Sequence, residues 1–224
     1  MSGPPAPRIA LIHALPESLA PLNAELDLAW PDCVRMHLLD DSLSADVARA
    51  PHGLDESFDQ RFLLLAEYAV TTGVDGILFS CSAFGRCIEE VARWLAPLPV
   101  LKPNEAMIDD ALATGRRIGL VATFAPTLTS MAPEFPEGAD LRTALAAGGL
   151  DALRAGDFER HDALIAEAAT RLVDDGCGVI ALAQFSMARA AAVVAERTGV
   201  PVLTSVGSAV RRLKQRVAGE APGG

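Results

Sequence analysis

The stretch Gly76-Ile77-Leu78-Phe79-Ser80-Cys81-Ser82-Ala83-Phe84 decides the reading of this chain. Its first half is short and solidly apolar, the pattern of a strand buried on both faces of a parallel sheet. Its second half is small and polar and leads into a helical pattern over Gly85 to Leu95, closed by Pro97. A near copy follows as Gly178-Val179-Ile180-Ala181-Leu182-Ala183-Gln184-Phe185-Ser186. Each copy has an earlier companion: Arg8-Ile9-Ala10-Leu11-Ile12-His13-Ala14-Leu15 is echoed by Arg117-Ile118-Gly119-Leu120-Val121-Ala122-Thr123-Phe124. Both copies run through a helix-like stretch to Pro-Val, at Pro99-Val100 and Pro201-Val202. The chain nearly repeats itself, and the repeat breaks at Cys81. Its counterpart is Ala183 or Gln184, depending on a one-residue gap. Two such halves facing each other make one cleft with a thiol on one side only, which points to one-sided chemistry.

Outward from these strings, short apolar runs alternate with helical patterns. Strands are expected at Ile9 to Ile12, Val34 to Leu39, Gly76 to Ser80, Val100-Leu101, Ile118 to Ala122, Val179 to Ala183 and Val202-Leu203. Helices are expected at Ser18 to Leu28, Phe58 to Thr72, Gly85 to Leu95, Asn104 to Thr114 (Asn104 as N-cap), Asp157 to Asp174, Met187 to Thr198 and Ser205 to Val217. Ala132 to Gly138 reads as a loop and Glu220 to Gly224 as a frayed tail. The alternation predicts an α/β protein of two pseudo-symmetric lobes, each a short parallel sheet flanked by helices, with the active-site cleft between them. The lobes are expected at residues 1–114, bearing Cys81, and 115–224, with the final helix 205–217 packing back on the first.

Composition narrows the function classes. Half the 224 residues are hydrophobic and 21% are charged, enough apolar surface for a core. The net charge of −10 argues against nucleic acid and anionic membrane surfaces, which need cationic patches. No apolar run approaches the roughly 20 residues of a membrane helix, and Met1 to Pro7 has no signal-peptide core, so a cytoplasmic location is expected. Cys33, Cys81, Cys87 and Cys177 lack paired spacing, so neither a zinc site nor a disulfide framework is expected.

In parallel α/β sheets, ligands sit beyond the carboxyl ends of the strands. That rule selects Cys81 and His13 as candidate catalytic residues and Ser82, Ala83, Thr123, Phe124, Thr127, Gln184, Phe185 and Ser186 as candidate substrate-binding residues. Cys81 stands where the N–H groups of a helix start lower a thiol's pKa and bind anions; the alternative is a buried small hydrophobe. His13 is placed to hold the Cys81 proton or orient a carboxylate, or to be a hydrogen-bonded structural histidine. The Ser and Thr residues of the turns can bind a carboxylate or cap helices, and the two roles can coexist. Asp40 and Asp41 close a strand without a further metal-ligand set and read as loop or cap residues, and Glu105 reads as a site acid or a partner of the helix dipole. Cys87 reads as packing, and Cys33 and Cys177 precede strands, at the wrong end for the site.

The first strand through Ile12-His13, the segment Phe79-Ser80-Cys81-Ser82-Ala83-Phe84-Gly85, the turn Gly119-Leu120-Val121-Ala122-Thr123 and the strand end Leu182-Ala183-Gln184-Phe185-Ser186-Met187 together resemble the aspartate/glutamate racemase superfamily. That group includes hydantoin racemases, maleate isomerases and arylmalonate decarboxylases, and the resemblance spans nearly the whole chain. It implies a cofactor-independent, metal-free enzyme acting on a small carboxylic acid, with homodimers usual. It matches Cys81 to the first catalytic cysteine, His13 to an acidic residue beside it, and Thr123 to a carboxylate-binding turn. The second cysteine of the pattern is missing. Ala183 and Gln184 are not acids or bases near neutral pH, and Cys177, six or seven residues away along the strand, is about 20 Å distant. The resemblance therefore implies isomerase or decarboxylase chemistry through one thiol, a racemase with a non-cysteine second acid, or a small-acid binding protein without turnover.

Overall fold

The computed structural model describes residues 5–51 and 53–219, so the expected tail over 220–224 lies outside the described residues. Contacts divide the chain into two compact units. One takes the residues up to Pro103 and from Ala209 on, and the other takes Asn104–Ser208.

The first unit holds β1 (Arg8–His13), α1 (Leu19–Ala29), β2 (Val34–Leu39), α2 (Ser42–Arg49), α3 (Glu56–Thr71), β3 (Gly76–Phe79), α4 (Gly85–Trp94) and β4 (Val100–Leu101). Its sheet is parallel in the order β2-β1-β3-β4. The side-chain period of two sorts β1 and β3. Ala10, Ile12, Ala14, Ile77 and Phe79 pack with Phe58, Phe62 and Ala66 of α3 and Cys87, Ile88 and Val91 of α4. Ile9, Leu11 and His13 alternate to the other face and are equally buried.

The second unit holds α5 (Glu105–Ala113), β5 (Ile118–Ala122), α6 (Ala125–Met131), β6 (Leu141–Leu145), α7 (Gly149–Arg154), α8 (Phe158–Asp174), β7 (Val179–Leu182), α9 (Ala191–Thr198) and β8 (Val202–Thr204). Its order, β6-β5-β7-β8, is that of the first sheet, again all parallel. Val121, Ile180 and Leu182 pack against Ile165, Ala169 and Leu172 of α8 and Val194 of α9. Ile118, Leu120, Val179 and Ala181 pack against Met107, Ile108 and Ala111 of α5. That packing puts the division between the units ahead of α5, at 103/104, whereas the sequence reading placed it after Thr114. Gly119 is a glycine because a methyl there would sit 2.8 Å from Ile180 Cδ1 and 3.1 Å from Leu172 Cβ. In α10 (Ser205–Val217), Leu213 and Val217 belong to the first unit, where each lies 3.0 Å from the place a Gly76 methyl would take.

Four elements were not expected from sequence: α2, α6, β6 and α7. β6 is an edge strand with exposed Arg142 and Thr143, so it lacks an apolar run. Asn104 occupies the N-cap position of α5 but its side chain does not cap; Nδ2 donates instead to Glu134 Oε1 at 3.5 Å. Working side-chain caps are Asp55, accepting from Ser57 N–H, Asp157, accepting from Arg160 N–H, and Thr204, whose Oγ1 accepts from Gly207 N–H at the start of the final helix. Among the described residues no helix is long and apolar enough to cross a membrane, and no His, Cys, Asp or Glu cluster could hold a metal ion. Asp40 accepts from Ser42 N–H and Oγ–H and pairs with Arg61 at 2.7 Å. These partners hold its carboxyl below the usual range although burial pulls it upward.

Candidate active site

Strand register settles the one-residue ambiguity of the repeat. In the first unit Ile12 pairs with Phe79 and Ile12 O accepts from Ser80 N–H. In the second, Val121 pairs with Leu182 and Val121 O accepts from Ala183 N–H. Ser80 therefore corresponds to Ala183, and Cys81 to Gln184. The backbone agrees, because each residue is the extended N-cap of a 3₁₀ turn, with φ/ψ of −116°/118° at Cys81 and −125°/143° at Gln184. By the same register His13 corresponds to Ala122, and Ala14 to Thr123.

Cys81 is half-buried and packs against the face covered by α3 and α4. Burial pushes its thiol up, and the N–H of Ala83 offsets this only in part. The lowering expected from a helix start is opposed here by burial. Residues 82–84 form a three-residue 3₁₀ turn and α4 begins only at Gly85, and the Ala83 N–H faces the sulfur. Arg86, the nearest cation in sequence, pairs with Asp59 at 3.1 Å.

His13 is fully buried and turned the other way. Ile12 and Ala14 share the Cys81 face, so His13, between them, lies on the opposite one. Its Nδ1 is 2.9 Å from Ser80 Oγ and its Nε2 is 2.9 Å from His37 Nδ1. Both ring nitrogens are thus engaged away from the thiol. Burial, and then the charge of His37, pull His13 down to about 4, so it is neutral at physiological pH. His37 is lowered as well, by burial and then by Arg35. Its Nε2 lies 3.2 Å from Asn23 Oδ1.

In the second unit Gln184 Oε1 accepts from Thr123 N–H at 2.7 Å and from Thr123 Oγ1–H at 2.9 Å. Because a backbone N–H can only donate, the amide orientation is fixed and Gln184 Nε2 is left as a donor. Thr123 is buried against Gly149, where a methyl would come within 2.8 Å of Thr123 Cγ2. Thr127 is buried and opens α6, its N–H donating to Phe124 O at 3.0 Å. Phe124 is exposed, Phe185 buried, Ser82 and Ser186 half-buried, and Ala83 exposed. The structure thus joins Thr123 to Gln184 and leaves His13 apart from Cys81.

Sequence reasoning passed over two clusters. Ser80, His37 and Asn23 extend the His13 contacts. The signal was the period of two, which sets His37 on the His13 face of β2, since Leu11 pairs with His37. The second cluster is His161, fully buried in the first turn of α8, with Nδ1 2.8 Å from Asp162 Oδ1. Arg189 holds Asp162 through Nε at 2.9 Å and lies over the Phe158 ring. His161 Nε2 has no partner among the described residues.

Against known proteins, the profile of the Asp/Glu/hydantoin racemase family matches residues 22–213. No curated protein matches. Among solved structures, an aspartate racemase homologue from Pyrococcus horikoshii OT3 is similar with a TM-score of 0.73 and 15% identity, covering 94% of this chain and 99% of that one. Allantoin racemase from Klebsiella pneumoniae gives 0.69 and 21%, covering 97% and 91%. Unliganded arylmalonate decarboxylase gives 0.64 and 18%, covering 97% of each. At these identities the likeness is one of fold.

Proposed function

Because the chain belongs to the Asp/Glu/hydantoin racemase family, we propose that it is an enzyme acting beside the carboxylate or carbonyl of a small organic acid through one strand-end thiol, Cys81, by isomerase or decarboxylase chemistry. One observation carries this reading. Register gives Cys81 a counterpart, Gln184, that neither takes nor gives a proton near neutral pH. A mechanism with a thiol at each strand end has only one of its two groups here.

Burial holds Cys81 as S–H near neutral pH, the form a proton donor needs and a thiolate nucleophile does not. In the decarboxylase form, the bond from carbon to a carboxylate breaks, carbon dioxide leaves, and the electron pair stays on carbon. That carbon takes the S–H proton, and the thiolate regains one from solvent. Gln184 Nε2 and the turns at Ser82 to Ala83, Thr123 to Thr127 and Phe185 to Ser186 supply donors for the substrate carboxylate. The test is a panel of malonates, maleate, amino acids and hydantoins in D2O, followed by NMR with wild type and Cys81→Ala. The expected result is turnover of a malonate with solvent deuterium on the product carbon, or of maleate to fumarate without it, and loss of turnover in Cys81→Ala. Turnover untouched by Cys81→Ala overturns the reading.

One observation favours a second reading, racemisation with a non-cysteine second acid. Asp162 accepts His161 Nδ1–H, and His161 Nε2 has no hydrogen-bond partner among the described residues. Leu172 lies beside Gly119. From there eleven residues of helix at about 1.5 Å each and four of strand at about 3.3 Å each bring His161 and Thr123 to similar heights. Exchange of the α-hydrogen with inversion, lost in His161→Asn, distinguishes it.

A further inference from the structure

The contacts of His13 have a direction that can be worked out from the surface inward. Arg35 Nη1 lies 3.3 Å from Asn23 Oδ1. A guanidinium only donates, so that atom of Asn23 is the oxygen. His37 Nε2, 3.2 Å from the same oxygen, must then carry hydrogen. His37 is neutral near pH 7, since burial and Arg35 lower it, so its Nδ1 is a lone pair. His13 Nε2, 2.9 Å away, therefore donates to it. His13, lowered by burial and then by His37, is neutral too, so its Nδ1 is a lone pair and Ser80 Oγ–H donates to it at 2.9 Å. Three hydrogen bonds run one way, from Ser80 through His13 and His37 to Asn23. Bonds aligned in this manner polarise one another. At the strand end, the Ser80 hydroxyl has its only hydrogen engaged and offers lone pairs alone.

Ser80 is slightly exposed, at 8%, and sits beyond the last residue of β3. Side chains alternate there, so the Ser80 hydroxyl and the Cys81 thiol flank the strand end from opposite faces. On the reading that a small acid is handled at this end by Cys81, we propose that Ser80, backed by His13 and His37, is the proton-accepting partner of the thiol: it takes a proton from an oxygen or nitrogen of the bound acid and passes it outward to His37. The balance is simple. The ligand O–H or N–H bond breaks as a new Ser80 O–H forms, and the old Ser80 hydrogen moves to His13 Nδ1. The hydrogen of His13 Nε2 moves to His37 Nδ1, and that of His37 Nε2 leaves its bond to Asn23 Oδ1 for solvent water at the half-buried His37 on edge strand β2. No imidazole becomes a cation and nothing is oxidised. The reverse passage resets both tautomers. His13 and His37 are positioning residues in this scheme, and Ser80 is the group that touches the ligand.

The test uses the full-length protein labelled with ¹⁵N-histidine, with tautomers read from long-range ¹H–¹⁵N correlations near pH 7. Both His13 and His37 are expected neutral with hydrogen on Nε2. L-lactate, which carries an O–H donor, is then compared with propionate, which lacks it. Lactate should move the His13 Nδ1 resonance, propionate should move it less, and Ser80→Ala should abolish the difference while Ser80→Thr retains it. A His13 with hydrogen on Nδ1, a cationic His13, or a lactate response equal to that of propionate overturns the proposal. Cys81→Ala separates this failure from that of the catalytic reading. The tautomers and the lactate response survive there if the relay is right and the thiol chemistry is wrong.

Discussion

Thr123 can hold Gln184 only if residue 149 has no side chain, and Gly149→Ala tests this. The added methyl would lie 2.8 Å from Thr123 Cγ2, 3.4 Å from Thr123 Cβ and 3.8 Å from Ala146 Cβ. The first distance is well inside van der Waals contact, and Thr123 is buried and tied through N–H and Oγ1–H to Gln184, so it cannot swing away freely. Overpacking of this kind costs about 1–3 kcal/mol. Against it stands the Gly-to-Ala helix preference, at most about 1 kcal/mol and less in a first turn. The net expectation is a loss of about 1–2 kcal/mol, a fall in Tm of roughly 2–8 °C for a chain of this size. Thr123→Ser removes Cγ2 and keeps the hydroxyl, so in that background Gly149→Ala should become neutral or slightly stabilising. Thermal unfolding of the four proteins by circular dichroism gives the coupling directly. Equal losses from Gly149→Ala in both backgrounds would show that the methyl does not meet Thr123, and the packing argument would fail.

Three further outcomes follow from the titrating groups. His13 is lowered from 6.5 to about 4, so its contribution is complete above pH 6.5 and lost as pH falls through 4. That amounts to about 3 kcal/mol at roughly 1.4 kcal/mol per unit, and urea unfolding across this window should be less pH-dependent in His13→Gln than in wild type. At the alkaline end Cys87 is raised to about 12 by burial and then by its bond to Asp59, so its contribution holds below pH 9 and is lost as pH rises toward 12; Cys87→Ala should flatten that loss. Iodoacetamide should label Cys81 slowly at neutral pH and faster as pH climbs past the ordinary thiol range, whereas a rate already level at pH 7 would mean an activated thiolate.

The repeat was legible in sequence because buried parallel strands are continuous apolar runs, and each half carries the same strings at β1 and β3 or β5 and β7. The edge strand β6 was not legible, because one face of it meets solvent and Arg142 and Thr143 interrupt its pattern. The site was half legible. Strand ends selected Cys81, His13, Thr123 and Gln184, but a string does not show which side of a strand end a residue takes. His13 follows Ile12 by one residue and so faces away from the thiol, and that single step changed its partners from Cys81 to Ser80 and His37. At Cys81 a string shows the helix start but not the burial that opposes it, nor that residues 82–84 form a 3₁₀ turn, with the N–H of Ala83 facing the sulfur. His161 stood in an ordinary amphipathic helix, and only its orphaned Nε2 sets it apart.

The inequivalence of Cys81 and Gln184 is tested most directly by restoring the symmetry. An enantiopure 2-aryl or 2-amino acid is incubated in D2O with wild type and with Gln184→Cys, and deuterium at the α-carbon and optical rotation are followed together. Wild type should leave configuration unchanged, and Gln184→Cys should gain exchange with inversion. Racemisation by wild type at a rate Gln184→Cys does not alter would contradict a one-thiol enzyme.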